Sequence, residues 1–197
     1  MGATGSEDWE GVWDARLAAI SEVLGVPENG VYHAVHPLLL GGQADVISFT
    51  KAMDGVAYVT ADLTGKPDES CTDYELMICE RQPSKWGPNL ISRLAQYALS
   101  TYIDSGESMD IDAATPTTSK IKALVFDTYA VFSLYGHDLA LRLCIGITKR
   151  ELAFKIKHGS DALLEQLKKH SIYPFTDLNR DSIPLPNLPD DLSGEGN

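Results

Sequence analysis

Few residues in this chain combine a reactive type with a spacing that could do chemistry. His33 and His36 lie three positions apart, and two imidazoles on one face can hold zinc. Val31, Val35 and the following Pro37 favour a strand, where positions three apart face opposite ways, so the rings are not expected to converge. Asp110 and Asp112 could take a hard cation, but the glycine and glutamate of a calcium loop are missing around them. Ser133, His137 and Asp138 are the residue types of a hydrolytic triad. They crowd around one turn at Gly136, where neighbours do not aim at one another, and read as hairpin residues. Cys79 and Cys144 fall in strand-like runs and fit small buried hydrophobes better than nucleophiles lacking a base. No nucleophile elbow, dinucleotide fingerprint or phosphate loop occurs, and Gly41-Gly42 reads as a turn. The chain therefore reads as a non-enzyme with no metal and no cofactor.

Charge is more informative. Among 197 residues, Asp and Glu number 28 against 16 Lys and Arg, for a net charge of -12. A nucleic acid or an anionic membrane needs a basic face, so both are excluded as primary partners, and a basic protein is favoured. Asp104, Glu107, Asp110 and Asp112 form an acidic stretch that either solvates a loop or steers such a partner. Trp86, set among Pro83, Gly87 and Pro88, either packs its loop or anchors an interface. These five are the candidate partner-binding residues. Three cysteines without C-x-x-C spacing argue against a disulfide scaffold and an all-cysteine zinc site. The start carries no secretory signal and no apolar run approaches the roughly 20 residues of a membrane span, so a cytoplasmic protein is expected.

The elements that would position these residues follow from periodicity. Trp9, Val12, Trp13, Leu17, Ile20, Val23 and Leu24 recur at helical steps, predicting a helix over 7–24 with a Thr4/Glu7 capping box, stopped by Gly25 and Pro27. Runs rich in β-branched residues predict strands over 31–36, 45–50, 56–62 and 73–80, with a hairpin turn at Met53-Asp54-Gly55. The last of these alternates Tyr74, Leu76, Ile78 and Glu80 against Glu75, Met77 and Cys79, as a half-buried strand would. Residues 63–72 read as an exposed loop. A second helix is predicted over 90–103, with Leu90, Ile91, Leu94, Ala95, Tyr97, Ala98 and Tyr102 sharing one face and Gly106 past its end, and a strand near 108–111. Strands at 121–127, 129–134 and 139–147 follow. Thr148 and Glu151 then make a capping box that opens a short helix to 157, and Gly159 separates it from another carrying Leu163, Leu164 and Leu167. Little is expected to bury after Phe175. This order predicts a single α/β (α+β) domain with a central mixed, largely antiparallel sheet flanked by helices.

One family resemblance emerges. Tyr74-Glu75-Leu76-Met77-Ile78-Cys79, followed by Trp86-Gly87-Pro88-Asn89-Leu90-Ile91-Ser92-Arg93-Leu94-Ala95-Gln96-Tyr97, resembles the Suppressor of fused (SUFU-like) domain family. Its marks are an aromatic-Glu-Leu strand, a Trp-Gly-Pro loop and a helix of the type N-L-[IL]-x-x-L-A-x-Y. His33-Ala34-Val35-His36-Pro37 with Gly41-Gly42, Cys144-Ile145-Gly146-Ile147-Thr148 with Glu151-Leu152, and Tyr173-Pro174-Phe175-Thr176-Asp177-Leu178 extend the likeness from about residue 30 to 180.

The resemblance implies a sheet flanked by helices and no catalysis. It divides the chain into an N-terminal amphipathic helix packed on the domain (1–28), a SUFU-like domain (29–180) and a Pro- and acid-rich tail expected to be disordered (181–197). In animals such a domain is the N-terminal part of a protein that sequesters Gli transcription factors. Bacterial single-domain relatives are proposed as immunity proteins that neutralise toxins. No second domain is discernible here, so the two-domain clamp of the animal protein is not expected. Two binding functions follow: neutralising a cognate, basic toxin domain, or sequestering a peptide or a transcription-factor-like partner by strand addition. A hydrolase built on Cys79, Cys144 or the two histidines is the remaining alternative.

Overall fold

The computed structural model describes residues 6–28, 30–33, 44–66 and 72–186. Helix α1 (Ser6–Leu24) leads into strands β1 (Val31–Tyr32), β2 (Val46–Phe49), β3 (Val56–Thr60) and β4 (Tyr74–Glu80). Helix α2 (Trp86–Ala98) follows, then β5 (Ser108–Asp110), a 3-10 turn at Asp112–Ala114, and the long pair β6 (Ile121–Leu134) and β7 (His137–Thr148). Helices α3 (Lys149–His158) and α4 (Ser160–Lys169) end the regular structure. The strands form one sheet in the order β1-β2-β3-β4-β7-β6-β5. Among the described strands β4 and β7 run parallel, Tyr74 facing Ala140 and Ile78 facing Cys144, and the other strand pairs are antiparallel. The mixed, largely antiparallel sheet matches the expectation from sequence.

Both faces of the sheet are covered. Alternate residues of β4 point to opposite sides, as the pleat requires. Met77 and Cys79 join a core closed by Ile20 and Leu24 of α1, Leu163, Leu164 and Leu167 of α4, and Phe175. Tyr74, Leu76 and Ile78 join a second core under Leu90, Ile91, Leu94 and Ala95 of α2. The alternation foreseen for β4 is present, but every residue from Tyr74 to Glu80 is buried, so the strand is central and not half-exposed. That corrects the expectation, because an alternating pattern does not reveal whether a second layer covers the polar face.

Covering the second face places Glu75 in the interior, and the N-terminal helix compensates its charge. Glu75 accepts from the Thr60 hydroxyl at 2.6 Å, from the Leu63 and Thr64 amides at 3.1 and 2.8 Å, and from the Thr64 hydroxyl at 2.8 Å. Arg16 of α1 lies 3.5 Å away through Nε and donates its terminal nitrogens to the carbonyls of Ala61 and Thr64. Leu63 and Thr64 are consequently buried, which corrects the exposed-loop reading for the start of 63–72. Residues 67–71 lie outside the described residues.

An equivalent lock holds the C-terminal end. Thr148 accepts from the Glu151 amide at 3.2 Å and Glu151 from the Thr148 amide at 2.9 Å, so the foreseen capping box is present. The fully buried Glu151 carboxylate also receives both terminal nitrogens of Arg180, at 2.5 and 2.7 Å, and the Ile183 amide at 3.0 Å. Ile183 and Leu185 are buried, so packing continues well past Phe175, contrary to the sequence reading. Gly146 makes room for this strap: a Cβ there would stand 2.7 Å from Thr176. The Gly146 amide donates to the Thr176 hydroxyl at 2.8 Å.

Three boundaries differ from expectation. Helix α2 begins at Trp86, not Leu90, because Pro88 is tolerated in a first helical turn. It ends at Ala98. The strands foreseen at 121–127 and 129–134 are one strand bent by a register shift between Thr128 and Ala130. The hairpin turn is Tyr135-Gly136, both with positive φ of 51° and 79°, so His137 and Asp138 belong to β7. The Thr4/Glu7 cap and residues 187–197 lie outside the described residues.

Two tests follow. Arg180→Met leaves the Glu151 carboxylate buried without its cation and is expected to cost about 3 kcal/mol of stability, read by urea unfolding, since unpairing a buried ion pair is that costly. Glu151→Gln in the same background should recover part of the loss. Burial pushes the Glu75 carboxyl up to about 7 from its ordinary 4.5, while Arg16 and the hydroxyl and amide donors pull it down. The folded chain thus holds this proton more tightly than the unfolded chain. Its contribution to stability is full below about pH 4.5 and is lost as pH rises through about 7. Unfolding curves across this window should fall more steeply for the wild type than for Glu75→Gln; parallel slopes would refute the assignment.

Candidate functional site

The residues that suggested catalysis are not brought together. Cys79 and Cys144 lie in different core layers, and burial pushes both thiols up, Cys144 to about 12, which keeps them protonated and unreactive. Ser133 faces Asp138 across the hairpin, whereas His137 faces Leu134, so His137 points to the other side of the sheet. His33 is exposed and its Nδ1 sits 3.0 Å from Asp45 Oδ2. His36 and Gly41-Gly42 lie outside the described residues. Among the described residues, no three His, Cys, Asp or Glu side chains cluster as a metal would need. No described helix is long and apolar enough to cross a membrane.

What the fold does assemble is a groove of about 390 Å³ where the end of α2, the edge strand β5 and α3 meet. Tyr97 supplies one wall from the last turn of α2. Thr101, Tyr102 and Ile103 follow on the chain leaving that helix. Glu107, Ser108 and Met109 contribute the β5 side, Phe126 a patch of β6, and Lys155 of α3 the remaining wall. Tyr97 and Tyr102 are 45% and 52% exposed, and neighbouring Leu99 is 40% exposed. Large apolar side chains left uncovered beside a groove are a feature of interaction sites.

The groove walls are fixed by their neighbours. Tyr102 packs edge-on against buried Tyr74, ring centroids 5.4 Å apart, and its hydroxyl donates to Asp73 at 3.1 Å. Burial and the Asp73 carboxylate together hold the Tyr102 hydroxyl above its ordinary pKa. The Tyr74 hydroxyl accepts from the Ile103 amide at 3.1 Å, which fixes the chain where it leaves α2. The Arg142 guanidinium lies 5.3 Å over the Tyr74 ring and donates to Thr128 at 2.7 Å. Across the groove, Lys155 donates to the Ser108 hydroxyl at 3.0 Å. A cation, a carboxylate and two phenols thus line one depression.

The five candidate residues from sequence separate into two groups. Asp104 and Glu107 form the turn at the groove rim: the Asp104 amide donates to Glu107 Oε2 at 3.0 Å, and Gly106, with φ of +86°, closes the turn. Asp110 and Asp112 sit at the far end of β5. Asp110 accepts from the Asp112 amide at 2.8 Å, and Asp112 pairs with Lys122 at 2.7 Å, which holds its carboxyl below the ordinary range. Trp86 is at that same end, half-buried, donating its indole N–H to the Ala114 carbonyl at 2.9 Å. Its surroundings are those of a packed side chain.

Sequence reasoning missed Tyr97, Tyr102 and Lys155. It placed both tyrosines on the buried face of a helix running to 103. Helix α2 stops at Ala98, and Tyr97 falls at the margin of a stripe centred on Ile91, Ala95 and Ala98. The available signal was Ser100-Thr101, two small polar residues that interrupt the apolar spacing before Gly106.

The motif at the start of α2 has a local explanation. Buried Glu80 accepts from the Ser84 hydroxyl, which in turn accepts from the Trp86 amide at 3.0 Å where α2 begins. A Cβ on residue 87 would stand 2.9 Å from the Glu80 carboxylate, so Gly87 permits the approach.

A family model described as Suppressor of fused protein (SUFU) matches residues 43–181. A sequence comparison with curated proteins finds no match. Among solved structures, the fold is similar to that in the Sufu-Fu complex, with a TM-score of 0.72 and 14% identity over 86% of this chain and 91% of that one. Drosophila Suppressor of Fused gives 0.69 and 14%, over 86% of this chain and 50% of that one, so the chain spans half the fly protein's length. A putative SUFU homolog from Neisseria gonorrhoeae gives 0.66 and 13%, over 88% and 97%. At these identities the structural likeness is one of fold. The family model, covering more than half of the chain, fixes the lineage: this protein belongs to the Suppressor of fused (SUFU) family.

Proposed function

We propose that this chain is a non-catalytic protein-binding domain that receives a segment of its partner in the groove between α2 and β5. The observation that carries the reading is the pairing of exposed Tyr97 and Tyr102 with Glu107 and Lys155 around one groove. Tyr97 belongs to the stretch that carries the family likeness, and the core makes no use of its ring. A relative solved as a Sufu-Fu complex also supports partner binding. The net charge of -12 favours a basic partner, and Asp104 and Glu107 at the rim supply steering. In the finer form of the proposal the partner is a basic toxin domain and the chain is its immunity protein, acting in the cytoplasm.

A second reading makes the chain a regulatory module that takes an extended peptide by strand addition. The outer edge of β5, which no described segment pairs, favours it.

The test is affinity capture with wild type and Tyr97→Ala/Glu107→Ser as parallel baits, followed by titration with the captured protein. Both side chains are exposed, so the variant should melt like the wild type while losing more than about tenfold in affinity. Association should slow steeply with added salt. Affinity unchanged in the variant clears the groove of the role. A captured partner that arrests growth when expressed alone, with relief on co-expression, favours the immunity form; a harmless one favours the regulatory module.

Trp86→Ala tests the packed role of that residue. It should cost about 2 kcal/mol of stability, as loss of a half-buried ring and a hydrogen bond would. Affinity measured on the folded fraction should then change little.

A further inference from the structure

Strand β6 is far longer than its outer neighbour. Ser108 of β5 pairs with Val125, and the turn before it adds bonds to Phe126. From Asp127 to Leu134 no described segment pairs with the outer edge of β6. The arm formed there with β7 buries Phe132, Leu134 and Leu139 on the side covered by α1. Its opposite side is bare: Val131 is 56% exposed, with Thr128 and Ser133 exposed beside it and Tyr135 at the tip.

Free edges invite pairing, and proteins blunt them with lysine, proline, inward charge or bulges. This edge carries a single such device, the register shift at Thr128/Ala130, at its root. Beyond it, Ala130-Val131-Phe132-Ser133-Leu134 contains no charge and no proline. Indeed no residue from Thr128 to Gly136 is charged, on a chain of net -12.

We infer that this edge pairs with its counterpart in a second copy of the chain, antiparallel about a two-fold axis near Val131. Charge selects that occupant. A basic partner is drawn to carboxylates, which the edge strand itself lacks from Thr128 to the tip; Asp138 lies one strand inward, opposite Ser133. Two acidic copies repel each other wherever their carboxylates meet, and this arm lets them approach without such a meeting. Centring the register on Val131 sets Thr128 opposite Leu134 and Asp127 opposite Tyr135, so no like charges face one another across the pair. The two exposed Val131 side chains then cover each other. An interface built on one short strand pair is small, so the dimer should be weak, in the micromolar range. It uses a surface separate from the groove, and its test does not depend on the partner-binding reading.

Sedimentation velocity on the full chain, from micromolar to near-millimolar concentration, should show a monomer–dimer equilibrium that salt strengthens by screening the net charge. Val131→Lys/Ser133→Lys sets cations beside the axis and should weaken association by roughly tenfold or more while leaving the melting curve in place. Should that variant fold poorly, Val131→Cys gives an independent readout: mild oxidation should trap a covalent dimer, because the two side chains adjoin at the axis. A wild type that stays monomeric at every concentration overturns the inference. So does a dimer that salt dissociates, one that persists in the lysine variant, or a Val131→Cys protein that yields no covalent dimer.

Discussion

Two carboxylates in the dry interior, Glu75 and Glu151, are the constraint on which the rest of the structure depends. Each lies on or beside a central strand of a sheet covered on both faces, where an unpaired charge would be prohibitively costly. Each is matched by an arginine from outside the sheet, Arg16 on the first helix and Arg180 on the strap after the last. Such pairs contribute little net stability compared with apolar packing, but removing one member leaves a strongly destabilising charge. Their effect is directional: each arginine ties its end of the described chain to a carboxylate that neighbouring amides and hydroxyls already hold in place. Glu75 settles the register of α1 across β3 and β4. Glu151 starts α3 and seats the strap with the same group.

This accounts for what the family-like residues do. Glu75 receives Arg16; Gly87 lets α2 approach Glu80; Gly146 admits Thr176; Thr148 and Glu151 cap α3 and hold Arg180. Each is a device of assembly. A likeness carried by such residues reports architecture faithfully and says little about a partner, whose recognition belongs to side chains the core leaves free. Tyr97 is an aromatic within that likeness whose ring the core does not claim, and it lies on the groove.

The same division explains how much was legible beforehand. Helix α1, the strands β2 to β4, the capping box and the sheet class follow from local rules, since apolar spacing and hydroxyl-to-glutamate spacing are properties of short segments. The covering of both faces is not local. Glu75 reads as a polar residue on an exposed side until Arg16, far away in sequence, is known to reach it. The strap was misread for a related reason: its prolines signal an irregular backbone correctly, but Arg180, Ile183 and Leu185 bury regardless. At the site, acidity identified the rim residues Asp104 and Glu107 and could not separate them from Asp110 and Asp112, which Lys122 and the 3-10 turn engage elsewhere. The tyrosines were lost through an overlong helix, because aromatic residues continue an apolar stripe on paper whether or not the helix persists.

A groove that binds by shape must hold its form before the partner arrives, or ordering its walls consumes the binding energy. Here the walls inherit rigidity from the core. Tyr102 rests on Tyr74, which is buried in β4 beside Glu75, and the Tyr74 hydroxyl holds the Ile103 amide. Tyr97 sits on the last turn of a helix anchored at its start by Ser84 and Glu80. Lys155 projects from α3, the helix that Glu151 begins. Three of the walls thus stand on elements that a buried carboxylate helps to fix. The interactions that settle the ends of the described chain thus also steady a depression where exposed aromatic rings, a carboxylate and an ammonium meet, so in the proposed function assembly and recognition rest on the same few charges.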